Sequence, residues 1–408
     1  MILAVVTANH ATFAQHSGRA RTVQPRTNGA RVRRVANLGA VQAICSASMI
    51  IKKYLSRAAC GAAAASALLA ASVAAQPGDG AGVALNDVHF HLTNYVQRGP
   101  DIHDFLKMMG DSVGRVALFA IPLQQEWRAD INGDRGPTYY LQTDAPLYYY
   151  SFTDAFIAMQ YRSLTPAQRA RFDPMITGFN PADLYAPDHI RRVLATFPGV
   201  FTGIGEFTIH KEFVSDKADP GPASLLNPAL DSVLATAGDI GLVVLIHNDM
   251  DVPFAADTAH PAYLDDMKAL VRRHPETTII WAHTGVGRVV RPVQNHAKVL
   301  EAMLSDPAYK NLYFDISWDV VAKYFVSTPE TVQAAAALIN RHPDRFLFGT
   351  DALAPRNAAA YLTTDNLYAP LWAALSPDAR AKVRVGNYER LFDTARRKVR
   401  AWEAAHLK

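Results

Sequence analysis

Eight short apolar runs alternate with longer amphipathic stretches over residues 85–350, a pattern that predicts a (β/α)8 barrel. Three observations carry the prediction. The runs are near-continuously apolar, as in residues 242–248 (LVVLIHN), which suits parallel strands covered on both faces. Helix start and stop residues fall between the runs, and polar side chains gather where the runs end. An open, doubly wound sheet is the competing architecture, but no glycine-rich phosphate-binding turn follows the first run.

In order, the strands are expected at residues 85–92, 115–122, 173–179, 201–210, 242–248, 277–283, 311–316 and 345–350. In the first, DVHFHL, His89 and His91 share one face, with Val88, Phe90 and Leu92 on the other. One helix starts at Asp188 and stops at Pro198-Gly199. A second opens at Asn227-Pro228 and ends at Gly238 or Gly241. A third is expected from His260-Pro261 to His274, and a fourth from Thr328-Pro329 to His342. Residues 123–170 interrupt the alternation with Trp127, Tyr139-Tyr140 and Tyr148-Tyr149-Tyr150, followed by a helix from Thr153. An insertion of that length at the strand-exit side suggests a substrate lid, with Tyr149 a candidate substrate contact; plain packing of aromatic rings is the alternative.

The net charge of +4 is set by the first 75 residues, which hold nine Lys/Arg and no Asp/Glu. Residues 76–408 carry 32 basic against 37 acidic side chains, a net of −5, which removes the electrostatic footprint of a nucleic-acid binder. Lys52, Lys53 and Arg57, followed by an Ala/Leu-rich stretch to Ala71 and the small residues through Ala75, read as a signal peptide cleaved near Gln76. The run is shorter than a bilayer requires, so no stable membrane anchor is expected after cleavage. Residues 1–48 suggest a start assigned too early, with Met49 the initiator. The expected organisation is a leader over 1–75 and a single barrel domain over 76–408, in the periplasm or secreted. Both cysteines, Cys45 and Cys60, fall in the leader, and Arg57 spoils a lipoprotein-type site. A mature chain without cysteine must hold any metal with His, Asp or Glu.

Barrel active sites form at the C-terminal ends of the strands. Read there, the sequence supplies His89 and His91 from the first strand and Glu206, with His210 beyond it, from the fourth. His247 comes from the fifth, His283 from the sixth and Asp351 from the eighth. Lone histidines after strands are usually satisfied rim residues. Four histidines and two carboxylates at one end are not, because each buried group needs a partner. By contrast His103, His189, His260, His274, His296, His342 and His406 fall in or beside helices and read as caps and surface. The donor set suits one divalent ion in preference to two, Zn2+ first, with Mn2+ or Fe2+ chemically permitted. Asp351 would bind the ion and take a proton from the attacking water. His283 would be a ligand, or polarise a substrate carbonyl, or orient the nucleophile.

This ordered set, with GTDA, WAHTG and the stretch GNYERLF at residues 386–392, resembles the amidohydrolase superfamily. It looks most like the amidohydrolase-related branch (amidohydrolase 2), which contains aminocarboxymuconate-semialdehyde decarboxylase and several lactonases, and the resemblance spans residues 85–395. It implies His89, His91, His247 and Asp351 as metal ligands, with His283 a further ligand or the catalytic base. Where many relatives carry a carboxylated lysine on the fourth strand this chain has Glu206, a ligand or a residue lining the site. The FTIHKE stretch adds His210 and Lys211 as candidates for meeting an anionic substrate; a surface position for Lys211 competes. The leading expectation is a metal-dependent hydrolase of an ester, lactone or amide that uses metal-activated water. The alternatives are a decarboxylase or hydratase of an unsaturated carboxylic acid with the same site, and a periplasmic binding protein on a barrel scaffold. A GxSxG elbow is absent, which argues against serine hydrolysis. The expected partner is a small-molecule substrate, with a homodimer as a further candidate.

Overall fold

A computed structural model describes residues 83–407 except 220 and 222. The leader, with Met49, Ala75 and Gln76, lies outside the described residues. The barrel strands are β1 (Leu85–His91), β2 (Val113–Phe119), β3 (Phe172–Ile176) and β4 (Gly203–Thr208), then β5 (Val243–His247), β6 (Ile279–Trp281), β7 (Leu312–Asp315) and β8 (Phe346–Leu347). Every neighbouring pair is parallel. Closure comes from the chain just beyond β8. The Val88 N–H donates to Phe348 O (3.1 Å), the Asp351 N–H donates to His89 O (2.7 Å), and Ala352–Leu353 pairs with β1. The expected (β/α)8 barrel is the architecture observed.

Alternation along each strand divides the apolar residues between two layers. Val244 and Ile246 of β5 face the helices together with Leu118, Ile204 and Phe314. Val243 and Leu245 face the barrel axis with Ala117, Phe119, Met175 and Ile280. Filling both sides is what made the runs read as continuously apolar. In β1 the alternation breaks. Its pairing with β2 shifts register between Asp87 and Phe90, and Asp87 Oδ1 accepts the His89 N–H (3.0 Å). Val88 therefore packs in the axial layer, while Phe90 and Leu92 pack outward. This corrects the expectation of one shared apolar face: a bulge turns Val88 inward beneath the two histidines.

The helices are α1 (Ile102–Met109), α2 (Phe152–Ser163), α3 (Ala186–Thr196) and α4 (Pro228–Ile240), then α5 (Leu264–Arg273), α6 (His296–Ser305), α7 (Pro329–Arg341) and α8 (Asn387–His406). Asn227 caps α4 by accepting the Ala229 N–H (2.9 Å), and Gly241, at φ +88°, ends it. Thr328 caps α7 on Thr331. The third expected helix starts at Leu264, not at His260-Pro261. Asp251 Oδ1 accepts the Ala262 N–H (3.1 Å) and Asp257 holds the His260 ring, so 260–263 stays a loop.

Helix α8 closes the N-terminal end of the barrel. Tyr388, Leu391, Phe392 and Ala395 pack against the axial layer, and the Tyr388 hydroxyl donates to the fully buried Asp173 (2.9 Å). Arg115 and Arg396 also donate to Asp173. At the opposite end the insertion forms a small sheet. Leu123–Gln125 pairs antiparallel with Leu147–Tyr149, which runs parallel to Ala218–Asp219. Tyr95, Ile121, Tyr140 and Leu147 fill the space beneath it.

Candidate metal centre

His89, His91, Glu206, His247, His283 and Asp351 converge at the C-terminal mouth. The His91 Nε2 lies 3.2 Å from both Glu206 Oε2 and Asp351 Oδ1, and the His89 Nε2 lies 3.8 and 3.4 Å from the same two oxygens. Across the centre, Glu206 Oε1 accepts from His247 Nδ1 (2.6 Å) and lies 3.9 Å from His283 Nε2. Glu206 thus presents one oxygen to each half of the cluster. Burial alone would raise its pKa, but the Lys211 ammonium at 3.1 Å and the His247 hydrogen bond hold it well below the usual carboxylate range. Burial likewise opposes ionisation of Asp351, and the facing His89 and His91 lower its pKa nonetheless. His247 is pushed down to about 3, by burial first and then by Lys211, and is neutral at physiological pH.

A second set of contacts sets the ring tautomers. Asp315 Oδ2 accepts from His89 Nδ1 (2.6 Å) and from the Ser317 hydroxyl (2.8 Å). Ser317 Oγ is then free to accept from His283 Nδ1 (3.0 Å). The Nε2 atoms of His89 and His283 are buried and without a hydrogen-bond partner among the described residues. Two buried, unpartnered imidazole nitrogens facing two carboxylates held in their ionised form make a donor set that a divalent cation satisfies. The residues fit a metal ion on those grounds.

Backbone strain concentrates here. His283, Thr284, Trp318 and Asp351 all have positive φ (+55°, +54°, +82° and +49°), a conformation costing roughly 1–3 kcal/mol for a non-glycine residue. The chain just beyond β8 can press against His89 because position 349 is glycine. A Cβ there would lie 2.7 Å from His89 Cβ and 2.8 Å from its backbone nitrogen.

Above the centre is a cavity of about 50 Å3 lined by Tyr95, Tyr139, Tyr140, Lys211 and Trp318 as well as His91 and Asp351. Lys211 is buried, its ammonium on Glu206 and 5.6 Å from the Trp318 ring centre, which corrects the surface alternative. His210 does not join it. Its ring stacks on Tyr263 (3.6 Å between centres), and burial pushes its pKa down to about 4, so it carries no charge for an anion near neutral pH. Tyr149 packs against the Tyr95–Leu147 cluster beneath the small sheet, and Tyr139 and Tyr140 face the cavity instead. Asp315, Ser317 and Trp318 were not anticipated. The rule applied to the other strand ends, a polar residue closing an apolar run, would have found Asp315 in LYFDIS.

A closed (β/α)8 barrel with an imidazole–carboxylate centre at its C-terminal mouth defines a class, the metal-dependent barrel enzymes. Within it, residues 87–394 match the amidohydrolase family, to which this chain belongs. No curated protein has significant sequence similarity to it. Among solved structures, a candidate 2-pyrone-4,6-dicarboxylic acid hydrolase from Pseudomonas putida is 12% identical, covering 77% of this chain and 98% of its own, with a TM-score of 0.46. A zinc-bound amidohydrolase from Burkholderia multivorans (14% identity, 76% and 99%, TM-score 0.44) is also similar. So is 5-carboxyvanillate decarboxylase from Sphingomonas paucimobilis (13%, 76% and 99%, TM-score 0.44).

Proposed function

We propose that this enzyme hydrolyses a carboxylic ester, lactone or amide of a small molecule, using a divalent ion, Zn2+ in the first instance, held by His89, His91 and Asp351, with His247, whose two nitrogens face Glu206 and Asp249, standing beside it. The observation that carries the reading is the convergence of the His89 and His91 Nε2 atoms on Glu206 and Asp351, with the His89 Nε2 buried and without a hydrogen-bond partner among the described residues. A divalent ion among these donors supplies Lewis acidity and brings the ionisation of water toward neutral pH.

The chain's own groups divide the remaining work. Asp351 stays ionised, so it can accept the proton of the attacking water. His283, its Nδ1–H held by Ser317, keeps Nε2 free 3.8 Å from Asp351 Oδ2, placed to take up that proton and, once protonated, to polarise a carbonyl. Lys211 keeps Glu206 ionised beside the ligands. Tyr139, Tyr140 and Trp318 line the mouth beside Lys211 and narrow the approach to the centre.

We place this activity outside the cytoplasm, with the leader removed near Gln76. The test is a screen of esters, lactones and amides, alongside carboxylic acids with CO2 detection, on metal-replete protein. Turnover of a carboxyl derivative that chelation abolishes supports the proposal. Stoichiometric CO2 release from an acid, with no hydrolysis of any carboxyl derivative, would replace it with decarboxylation.

A further inference from the structure

A second group of ligand-type atoms lies behind His247. The carboxylates of Glu212 and Asp249 and a ring nitrogen of His247 lie within 4.8 Å of one another, and all three residues are buried (2%, 1% and 1% exposed). The imidazole stands between two carboxylates: Nδ1 meets Glu206 Oε1 at 2.6 Å and Nε2 meets Asp249 Oδ1 at 3.2 Å. A neutral ring has one N–H and satisfies only one of those oxygens. Asp249 Oδ2 accepts the Glu212 N–H (3.0 Å), but neither side-chain oxygen of Glu212 has a hydrogen-bond partner among the described residues.

The nearby cations, Lys211 and Arg288, make their direct contacts elsewhere and reach the two acids only through space. Lys211 pairs with Glu206, and Arg288 donates to the Tyr139 hydroxyl (3.1 Å) and lies 5.4 Å from the Trp318 ring centre. No ion pair reaches Glu212 among the described residues. Space is also reserved beside the two acids. A Cβ on Gly287 would lie 2.5 Å from Glu212 Oε2 and 2.9 Å from Asp249 Oδ1, so any side chain there would occupy this spot. Two adjacent buried carboxylates with no lysine or arginine ion pair of their own among the described residues are costly to ionise, and a cation between them offsets that cost.

We infer that Glu212, Asp249 and the Nε2 of His247 form a second divalent-cation site, distinct from the His89–His91–Asp351 centre. Its two oxygens and one nitrogen suit Mn2+ or Zn2+, with solvent completing the shell. The Asp249 and Glu212 side chains leave the reacting mouth to the first centre, so this ion braces His247 from behind and ties the chain after β4 to that after β5.

Metal-stripped full-length protein titrated with Mn2+ alone, followed by electron paramagnetic resonance, tests the assignment. Wild type should bind one equivalent more than Glu212→Gln, a near-isosteric change. In a His91→Ala/Asp351→Asn background one equivalent should persist, and adding Glu212→Gln should remove it. Gly287→Ala, which inserts a methyl beside both acids, should weaken the same equivalent by about tenfold or more, and it serves if Glu212→Gln fails to fold. Equal Mn2+ binding by folded wild type and Glu212→Gln, or none in the folded His91→Ala/Asp351→Asn background, would overturn the site and leave the two acids sharing a proton. Absence of hydrolysis with this equivalent intact would count against the proposed reaction alone.

Discussion

Asp315 is the buried residue on which the geometry of the centre turns, because it fixes His89 directly and His283 through Ser317. Asp315→Asn should weaken metal binding at the first centre by roughly 10- to 100-fold, the usual cost of losing the outer partner of a ligating histidine. Metal content after dialysis against graded chelator measures it; unchanged retention would remove Asp315 from that role. Asp351 and His283 should part company in kinetics. Asp351→Asn keeps an oxygen near the ion but loses the proton acceptor, so metal should fall only in part while kcat falls about a hundredfold or more. His283→Asn should keep most of the metal and lose kcat through stabilisation made only in the transition state. Metal stoichiometry and kcat read on the same preparations separate the two, and near-wild-type turnover in metal-replete Asp351→Asn would exclude that residue as the acceptor.

At the scale of elements, the strand ends were legible because a polar residue closing an apolar run stands out, and the caps of α4 and α7 because Asn-Pro and Thr-Pro act locally. What escaped notice depends on non-local packing. The β1 bulge is set by pairing with β2, and the start of α5 by Asp251, which lies 11 positions before its partner. The orientation of the FTIHKE stretch escaped for the same reason: successive residues diverge, with Lys211 turned into the site and His210 onto Tyr263. That stacking has a pH consequence. His210 is neutral in the fold, with its pKa lowered by burial from 6.5 to about 4. The unfolded chain therefore takes up this proton first as pH falls below 6.5. The stability from the neutral ring is present above pH 6.5 and is lost progressively toward pH 4. His210→Gln should flatten the fall of Tm across that window, and an unaltered slope would contradict the assignment.

Across the whole molecule the two ends of the barrel do different work. The N-terminal end is a closed, ion-paired floor in which Asp173 collects Arg115, Arg396 and Tyr388. Asp173→Ala leaves the buried Tyr388 hydroxyl without its acceptor and removes one acid from the partly buried Arg115 and Arg396, and should cost about 1–3 kcal/mol, measurable by urea unfolding, with little change in metal content. The C-terminal end holds strained backbone, unpartnered imidazole nitrogens and a narrow mouth lined by aromatic rings. This division lets the fold support a polar centre that its own side chains leave unsatisfied. Its central claim is that the centre is completed by a metal ion, and the most direct measurement is anomalous diffraction from crystals of the purified protein at the absorption edge of its bound metal. The account predicts a peak about 2.0–2.2 Å from the Nε2 atoms of His89 and His91, with Asp351 in its shell. An active crystalline enzyme with no anomalous peak between those side chains would contradict it.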